Sequence, residues 1–158
     1  MRMVVISDSH HRSSVIDKIL AQQPNAQYVF FLGDNAADIE DFEHFYPEKT
    51  FYTVCGNCDF FSDLPAIGIV KVAGQRVLYT HGHTLNVKSS LENLFETAKR
   101  NECNIALFGH THIPKIVYEQ GIYFVNPGSC AKPIEGKPTY AVIDITEKGI
   151  LPAIINVE

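Results

Sequence analysis

The sequence has no apolar run long enough for a membrane-spanning helix and no run of lysine or arginine. Only a few apolar residues precede Asp8, too few for the core of a signal peptide. The formal net charge is -5, and an acidic chain without a basic run is a poor partner for nucleic-acid backbone. These absences predict a cytoplasmic protein that contacts neither a membrane nor long nucleic acid.

Repeats, low-complexity segments and linkers are also missing. A chain of 158 residues is long enough to bury one sizeable core, so we expect a single domain over residues 1–158. The four cysteines could form two disulfides in a secreted protein, but without a signal peptide we expect reduced thiols. They are Cys55, Cys58, Cys103 and Cys130.

Histidine is the residue type that stands out. Six of the seven histidines lie in three tight pairs, and only His44 is alone. The pairs are His10 with His11, His81 with His83, and His110 with His112. Because neutral imidazole is a common ligand of transition metals, clustered histidines beside glycines and acids indicate a metal site.

The apolar pattern of the first half alternates between strands and helices. Buried-strand patterns cover residues 3–6, 28–32 and 50–54, with a helix after Ser13 or Ser14, which could cap it, and a short acidic helix before Pro47. This order predicts a parallel sheet with crossover helices.

The second half predicts a hairpin, a helix and further strands. The hairpin joins residues 67–72 to 76–80, and a helix carries Leu91, Leu94, Phe95 and Ala98 on one face. Further strands are expected at 105–108, 115–118, 122–125, 139–145 and 150–157. The whole pattern is typical of an α/β fold with two sheets packed face to face and helices outside.

Five short polar motifs each lie just past a predicted strand. They are Asp8-Ser9-His10, Gly33-Asp34-Asn35, Gly56-Asn57-Cys58-Asp59, His81-Gly82-His83 and Gly109-His110-Thr111-His112. Ligands of α/β sheets gather at the carboxyl ends of strands, and a mixed carboxylate and imidazole set favours Mn, Fe, Co, Ni or Zn over Mg or Ca. Seven ligands exceed the needs of one ion, whereas two ions that share a carboxylate would use them all.

These motifs, in this order, resemble the calcineurin-like metallophosphoesterase superfamily, and the Gly-Asn-Cys-Asp variant is most similar to its small YfcE-type phosphodiesterase branch. The resemblance implies a four-layer αββα sandwich of two mixed β-sheets flanked by helices. It also implies two divalent transition-metal ions per chain, Mn before Ni, Zn, Fe or Co. Asp8, His10 and His112 resemble ligands of one ion, Asn57, His81 and His110 resemble ligands of the other, and Asp34 resembles the bridging carboxylate.

The activity implied is a phosphoric ester hydrolase that cleaves small phosphodiesters with a hydroxide bridging the two ions, so the expected partner is a small phosphate ester. Asp34, Asn57 and His83 are the expected catalytic residues. Many family members have a histidine after the Asn of the third motif, where this sequence has Cys58. A thiol is a poorer proton donor, so His83 could substitute as the acid.

Two other functions stay open at this point. The first is a non-catalytic binding scaffold, because the retromer scaffold subunit of the same superfamily is similar in length and also lacks that histidine. The second is a redox pair formed by Cys55 and Cys58, although Pro65 follows too soon for the helix that such a pair requires. Asn126-Pro127-Gly128-Ser129 resembles a family signature or is simply a turn, and the C-terminal strands could pair in a homo-oligomer.

Overall fold

The computed structural model describes all 158 residues and contains ten strands and three α-helices. The strands are β1 (Arg2–Ile6), β2 (Tyr28–Phe31), β3 (Thr50–Thr53), β4 (Ile67–Val72), β5 (Gln75–Thr80), β6 (Ile105–Leu107), β7 (Lys115–Glu119), β8 (Ile122–Asn126), β9 (Thr139–Thr146) and β10 (Gly149–Asn156). The helices are α1 (Ser13–Gln22), α2 (Phe42–Phe45) and α3 (Glu92–Arg100), with 3₁₀ turns at Ala36–Ile39 and His83–Leu85. None of the helices has the length and apolar character that crossing a bilayer needs.

Each of the two sheets has five strands and mixes parallel with antiparallel pairs. The first sheet has the order β10-β9-β1-β2-β3, in which β1, β2 and β3 run parallel and β9 is antiparallel to both β1 and β10. The second has the order β4-β5-β6-β8-β7, with β5, β6 and β8 parallel and both edge strands antiparallel. The predicted pair of mixed sheets is therefore confirmed.

The layers follow from the alternation of side chains along each strand. In β1, Val4 and Ile6 pack with the buried face of α1, whereas Met3 and Val5 pack against the second sheet. The outer face of the second sheet packs against α3. Three buried clusters separate four layers, helix on sheet on sheet on helix, so the αββα expectation is also confirmed.

Two local predictions differ from the structure. Helix α1 begins at Ser13 itself, with Arg12 at the capping position and no side-chain cap. The backbone N–H of Arg12 donates to the carbonyl of Ser9 at 3.1 Å, so a turn from the preceding motif leads directly into the helix. The acidic helix is split into the turn Ala36–Ile39 and the single-turn α2, which ends before Pro47 as expected.

The parallel strands of both sheets end at one edge of the molecule. The segment after β1 bonds to the one after β2, because the N–H of Asp8 donates to the carbonyl of Gly33 at 3.1 Å. In the second sheet the N–H of Gly109 donates to the carbonyl of His81 at 2.9 Å. These loops carry the polar motifs to a common place.

Candidate metal centre

The structure brings together all seven predicted ligands, although they are spread from position 8 to position 112. Asp34 lies in the middle of them. One of its carboxylate oxygens, Oδ2, is 3.9 Å from Nε2 of His10 and 3.5 Å from Nε2 of His81. Asp34 is buried, and its other oxygen accepts a hydrogen bond from the backbone N–H of Cys58 at 2.9 Å. The carboxylate therefore faces two groups of side chains.

The first group consists of Asp8, His10 and His112. Nε2 of His112 is 3.1 Å from Oδ1 of Asp8 and 3.3 Å from Nε2 of His10. With Asp34 included, one ligand atom from each of the four residues lies within 4.8 Å of every other. This is a set of oxygen and nitrogen atoms small enough to enclose one cation.

The second group consists of Asn57, His81 and His110. Nε2 of His81 is 3.0 Å from Oδ1 of Asn57 and 3.2 Å from Nδ1 of His110. His81 is fully buried, whereas Asn57 is exposed. This group therefore opens toward solvent at Asn57.

In His81 and His112 the ring nitrogen that points away from the other ligands is hydrogen-bonded to a backbone carbonyl, and this bond determines which nitrogen faces the group. Nδ1 of His81 lies 2.7 Å from the carbonyl oxygen of Leu32, and Nδ1 of His112 lies 2.7 Å from that of Lys132. A carbonyl only accepts, so each Nδ1 carries a proton and Nε2 of the neutral ring presents a lone pair. Metal-ligating histidines are held in this manner.

Several acceptor atoms then converge on the space between the two groups. Nε2 of His81 faces the oxygen of Asn57. Oδ1 of Asp8 is buried and makes no hydrogen bond of good geometry, with only Nε2 of His112 close to it at 3.1 Å, while Oδ2 of Asp8 accepts from the Ser7 hydroxyl at 2.6 Å. A buried carboxylate oxygen without a donor is costly unless a cation neutralises it. The residues present therefore fit bound metal.

The electrostatics of the side chains agree with this placement. Burial raises the pKa of Asp8, but the imidazoles of His112 and His81 outweigh it and hold the pKa below its usual value. The Asp8 carboxylate raises the pKa of His112, so a proton and a cation would compete for Nε2. Burial and the neighbouring His81 lower the pKa of His110 to about 4, which keeps that ring neutral and able to ligate.

Cys58 and His83 lie at the margin of the two groups. Burial and the Asp34 carboxylate raise the pKa of Cys58, so its side chain is a neutral thiol at neutral pH. The ring of His83 is 5.4 Å from that of His81 and 6.2 Å from that of His110, and its buried Nδ1 has no hydrogen-bond partner. His83 is thus a neighbour of the second group rather than one of its members.

Asp59 holds two of the loops together, a role that was not predicted from its sequence context. Its Oδ2 accepts from the N–H of Asp34 at 3.0 Å and of Gly56 at 2.7 Å. Its Oδ1 accepts from the N–H of Asn35 and of Ala36, both at 2.9 Å. The position of Asp59 within the third motif was the only available signal.

The Asn126–Ser129 segment supports two other loops. The side-chain amide of Asn126 donates to the carbonyl of Gly109 at 3.0 Å and to the hydroxyl of Thr111 at 2.9 Å. The hydroxyl of Ser129 donates to the carbonyl of Asp8 at 2.8 Å. Both side chains are fully buried, so this segment is a support of the centre as well as a turn.

The backbone at the seven candidate ligands is unusual. Five of the seven have φ between +45° and +66°, namely Asp8, His10, Asp34, His110 and His112. Non-glycine residues adopt this region at some cost, and such residues concentrate at functional sites. Gly56 is needed for a different reason, since a Cβ there would overlap the Asp34 carboxylate.

The four cysteines and His11 take no part in either group of candidate ligands. Cys55 and Cys58 are free thiols, and turns rather than a helix follow them, which removes the context of a redox pair. Cys103 and Cys130 are buried in apolar clusters. His11 is exposed and contacts the side-chain amide of Asn35.

Residues 1–148 match the calcineurin-like phosphoesterase superfamily domain, and the chain belongs to this superfamily. This confirms the expected class, a metal-dependent phosphoric ester hydrolase. Phosphodiesterase YfcE of Escherichia coli K12 is 28% identical over 172 aligned positions, with 91% of this chain and 88% of that protein covered.

Other similar proteins include the probable metallophosphoesterase YsnB of Bacillus subtilis, which is 28% identical over 148 residues, 92% of this chain and 85% of that protein. Vacuolar protein sorting-associated protein 29 of Schizosaccharomyces pombe is 32% identical over 102 residues, but these are 65% of this chain and 52% of that protein. The crystal structure of a predicted phosphoesterase from Streptococcus pneumoniae superimposes with a TM-score of 0.85 at 25% identity, covering 98% of this chain and 88% of the other.

Proposed function

We propose that this chain is a cytoplasmic phosphodiesterase whose single domain, residues 1–158, binds two divalent transition-metal ions, Mn²⁺ first and Ni²⁺, Zn²⁺, Fe²⁺ or Co²⁺ as alternatives. The observation that carries the proposal is the position of Asp34, whose Oδ2 lies 3.9 Å from His10 and 3.5 Å from His81. A carboxylate placed between two groups of ligands can bridge two ions.

Each group has its own set of donors. Asp8, His10 and His112 would hold one ion and Asn57, His81 and His110 the other, with Asp34 shared. When bound, the two cations supply Lewis-acid chemistry, lowering the pKa of water and offsetting charge on the phosphoryl oxygens. This local positive charge lets an acidic chain accept a small phosphate ester.

The chain's own residues orient and support this centre. Leu32 and Lys132 fix the rings of His81 and His112 through their carbonyls, which keeps both Nε2 lone pairs aimed inward. Asn57, which is exposed, stands where substrate would arrive.

His83 borders the second group and would donate a hydrogen bond to the leaving-group oxygen. Replacing it with alanine should slow esters with poor leaving groups more than those with good ones. An unchanged rate across leaving groups of different pKa would exclude this role.

The direct test is turnover of bis(p-nitrophenyl) phosphate by the chain incubated with Mn²⁺. We expect activity that a chelator removes and that added Mn²⁺ restores. Asp34→Ala should abolish turnover, while Glu147→Ala, an exposed acid in the turn between β9 and β10 and outside both groups, should leave it unchanged. Turnover retained by Asp34→Ala after metal loading would contradict the proposal.

A second candidate is a binding scaffold, favoured by the similarity to the vacuolar sorting protein and by Cys58 in place of histidine. A scaffold would bind metal without turnover, so the same assay separates the two. Pairing between subunits stays a prediction, for which β10 offers one of the two edges of the first sheet.

A further inference from the structure

A cavity of about 490 Å³ lies beside the candidate metal centre. Asp59 lines this cavity and also accepts hydrogen bonds from the backbone N–H groups of Asp34 and Gly56. The cavity wall and the two loops that carry Asp34 and Asn57 therefore share one residue. A volume of this size is within the range of small-molecule sites, roughly 300–1,000 Å³. The cavity is therefore placed to receive the part of a substrate that extends from the phosphate.

Two neighbouring phenylalanines form the apolar side of this cavity. Phe60 is 83% exposed and Phe61 is 101% exposed, the highest values among the exposed large apolar side chains. Neither ring packs in any of the three buried clusters. The fold gains no stabilisation from two rings left in water, so a ligand that covers them is the simpler explanation.

The charges around the cavity restrict what that ligand can be. Glu40, Asp59 and Asp63 line it, and no lysine or arginine does. A second cavity of about 540 Å³, next to Thr111 of the fifth motif, contains the lysines instead. An additional anionic group would avoid the acidic cavity, whereas a neutral planar group would stack on the phenyl rings.

We propose that Phe60 and Phe61 form a stacking subsite for a neutral aromatic group, such as a nucleobase, carried by the alcohol of the phosphate ester. The subsite rests on the proposed function, because the phosphate of the same ester binds at the metal centre. Phe60 follows Asn57 by three residues, so their Cα atoms are no more than about 11 Å apart. A sugar joins the phosphate to the base across this interval.

The test compares two non-hydrolysable phosphonates, the analogues of adenosine 5′-monophosphate and of ribose 5-phosphate, on the Mn²⁺-loaded chain by calorimetric titration. We expect the adenosine analogue to bind about 5- to 100-fold more tightly, as base stacking on an aromatic side chain predicts. Phe60→Ala/Phe61→Ala should remove that difference, and Phe60→Tyr/Phe61→Tyr should retain it. Phe45→Ala, at an exposed ring outside the cavity, should bind as the parent does.

Equal affinity for the two analogues in the parent chain, or no binding of either, would overturn the subsite, as would a difference that survives the double alanine variant. Turnover of bis(p-nitrophenyl) phosphate is measured on the same samples. Turnover without an affinity difference refutes the subsite alone. An affinity difference that depends on the two rings, without turnover, supports the subsite and refutes the phosphodiesterase proposal.

Discussion

The Asp59 carboxylate joins the loop that carries Asp34 to the loop that carries Asn57, and its replacement by asparagine tests whether this tether maintains the centre. In the parent chain each carboxylate oxygen accepts two backbone N–H groups. Asparagine keeps one oxygen but turns an NH₂ group toward two of the four donors. Two hydrogen bonds to a charged acceptor are then lost.

The magnitude follows from those two bonds. A hydrogen bond to a charged group contributes about 1.5–3 kcal/mol, and Asp59 is half-buried, so we expect Asp59→Asn to lower the free energy of unfolding by about 3 kcal/mol. Partners that orient metal ligands typically change metal affinity by about 10- to 100-fold, and we expect a loss of Mn²⁺ affinity in that range.

Urea unfolding of the metal-free chain and titration with Mn²⁺ measure the two effects separately. Asp63→Asn is the matched control, since it removes a nearby exposed carboxylate that accepts none of these bonds. If Asp59→Asn unfolds at the same urea concentration as the parent and binds Mn²⁺ equally well, the tether does not support the ligands.

Three further perturbations follow from particular contacts. Gly56→Ala should weaken Mn²⁺ binding measured by titration, because the new Cβ overlaps the Asp34 carboxylate; unchanged affinity would show that the loop can yield. Lys49→Met should lower the free energy of unfolding by about 2–4 kcal/mol in urea, because the buried Nζ donates to three backbone carbonyls. Turnover per folded molecule should be preserved, and a smaller loss of stability would mean that water replaces the Nζ as the donor. The hydrogen bond from Arg2 lowers the pKa of Asp144. The pair therefore adds to the free energy of unfolding above the pKa that Asp144 has in the unfolded chain, and this stabilisation is lost as the pH falls through its pKa in the folded chain. Because both side chains are about a third exposed, that contribution is below about 1 kcal/mol, and Asp144→Asn should remove it from the pH profile of unfolding.

The strands and the places of the candidate ligands in the fold were predictable because both follow local rules. The apolar, β-branched run from Met3 to Ile6 predicts a buried strand, and Asp8, two residues later, is then expected at the strand's carboxyl end. The same reasoning places Asp34 after β2 and His81 after β5. Parallel strands then bring these ends to one edge without further information.

The supports of the ligands were less accessible to sequence reasoning. Ser129 reaches the carbonyl of Asp8 across more than a hundred residues, and no periodic pattern encodes such a contact. The predicted cap of α1 was wrong for a related reason. A turn in which the N–H of Arg12 bonds to the carbonyl of Ser9 places Arg12 at the capping position, so Ser13 is already the first residue of the helix. Asp59 was visible in its motif, but its four N–H partners depend on how two loops pack.

The central claim, that Asp34 is shared by two bound cations, is tested most directly by counting metal ions per chain by mass spectrometry after loading with Mn²⁺ and removal of excess. The account predicts two ions per parent chain and fewer in Asp34→Ala. A single ion in the parent, or two still bound by folded Asp34→Ala, would contradict it.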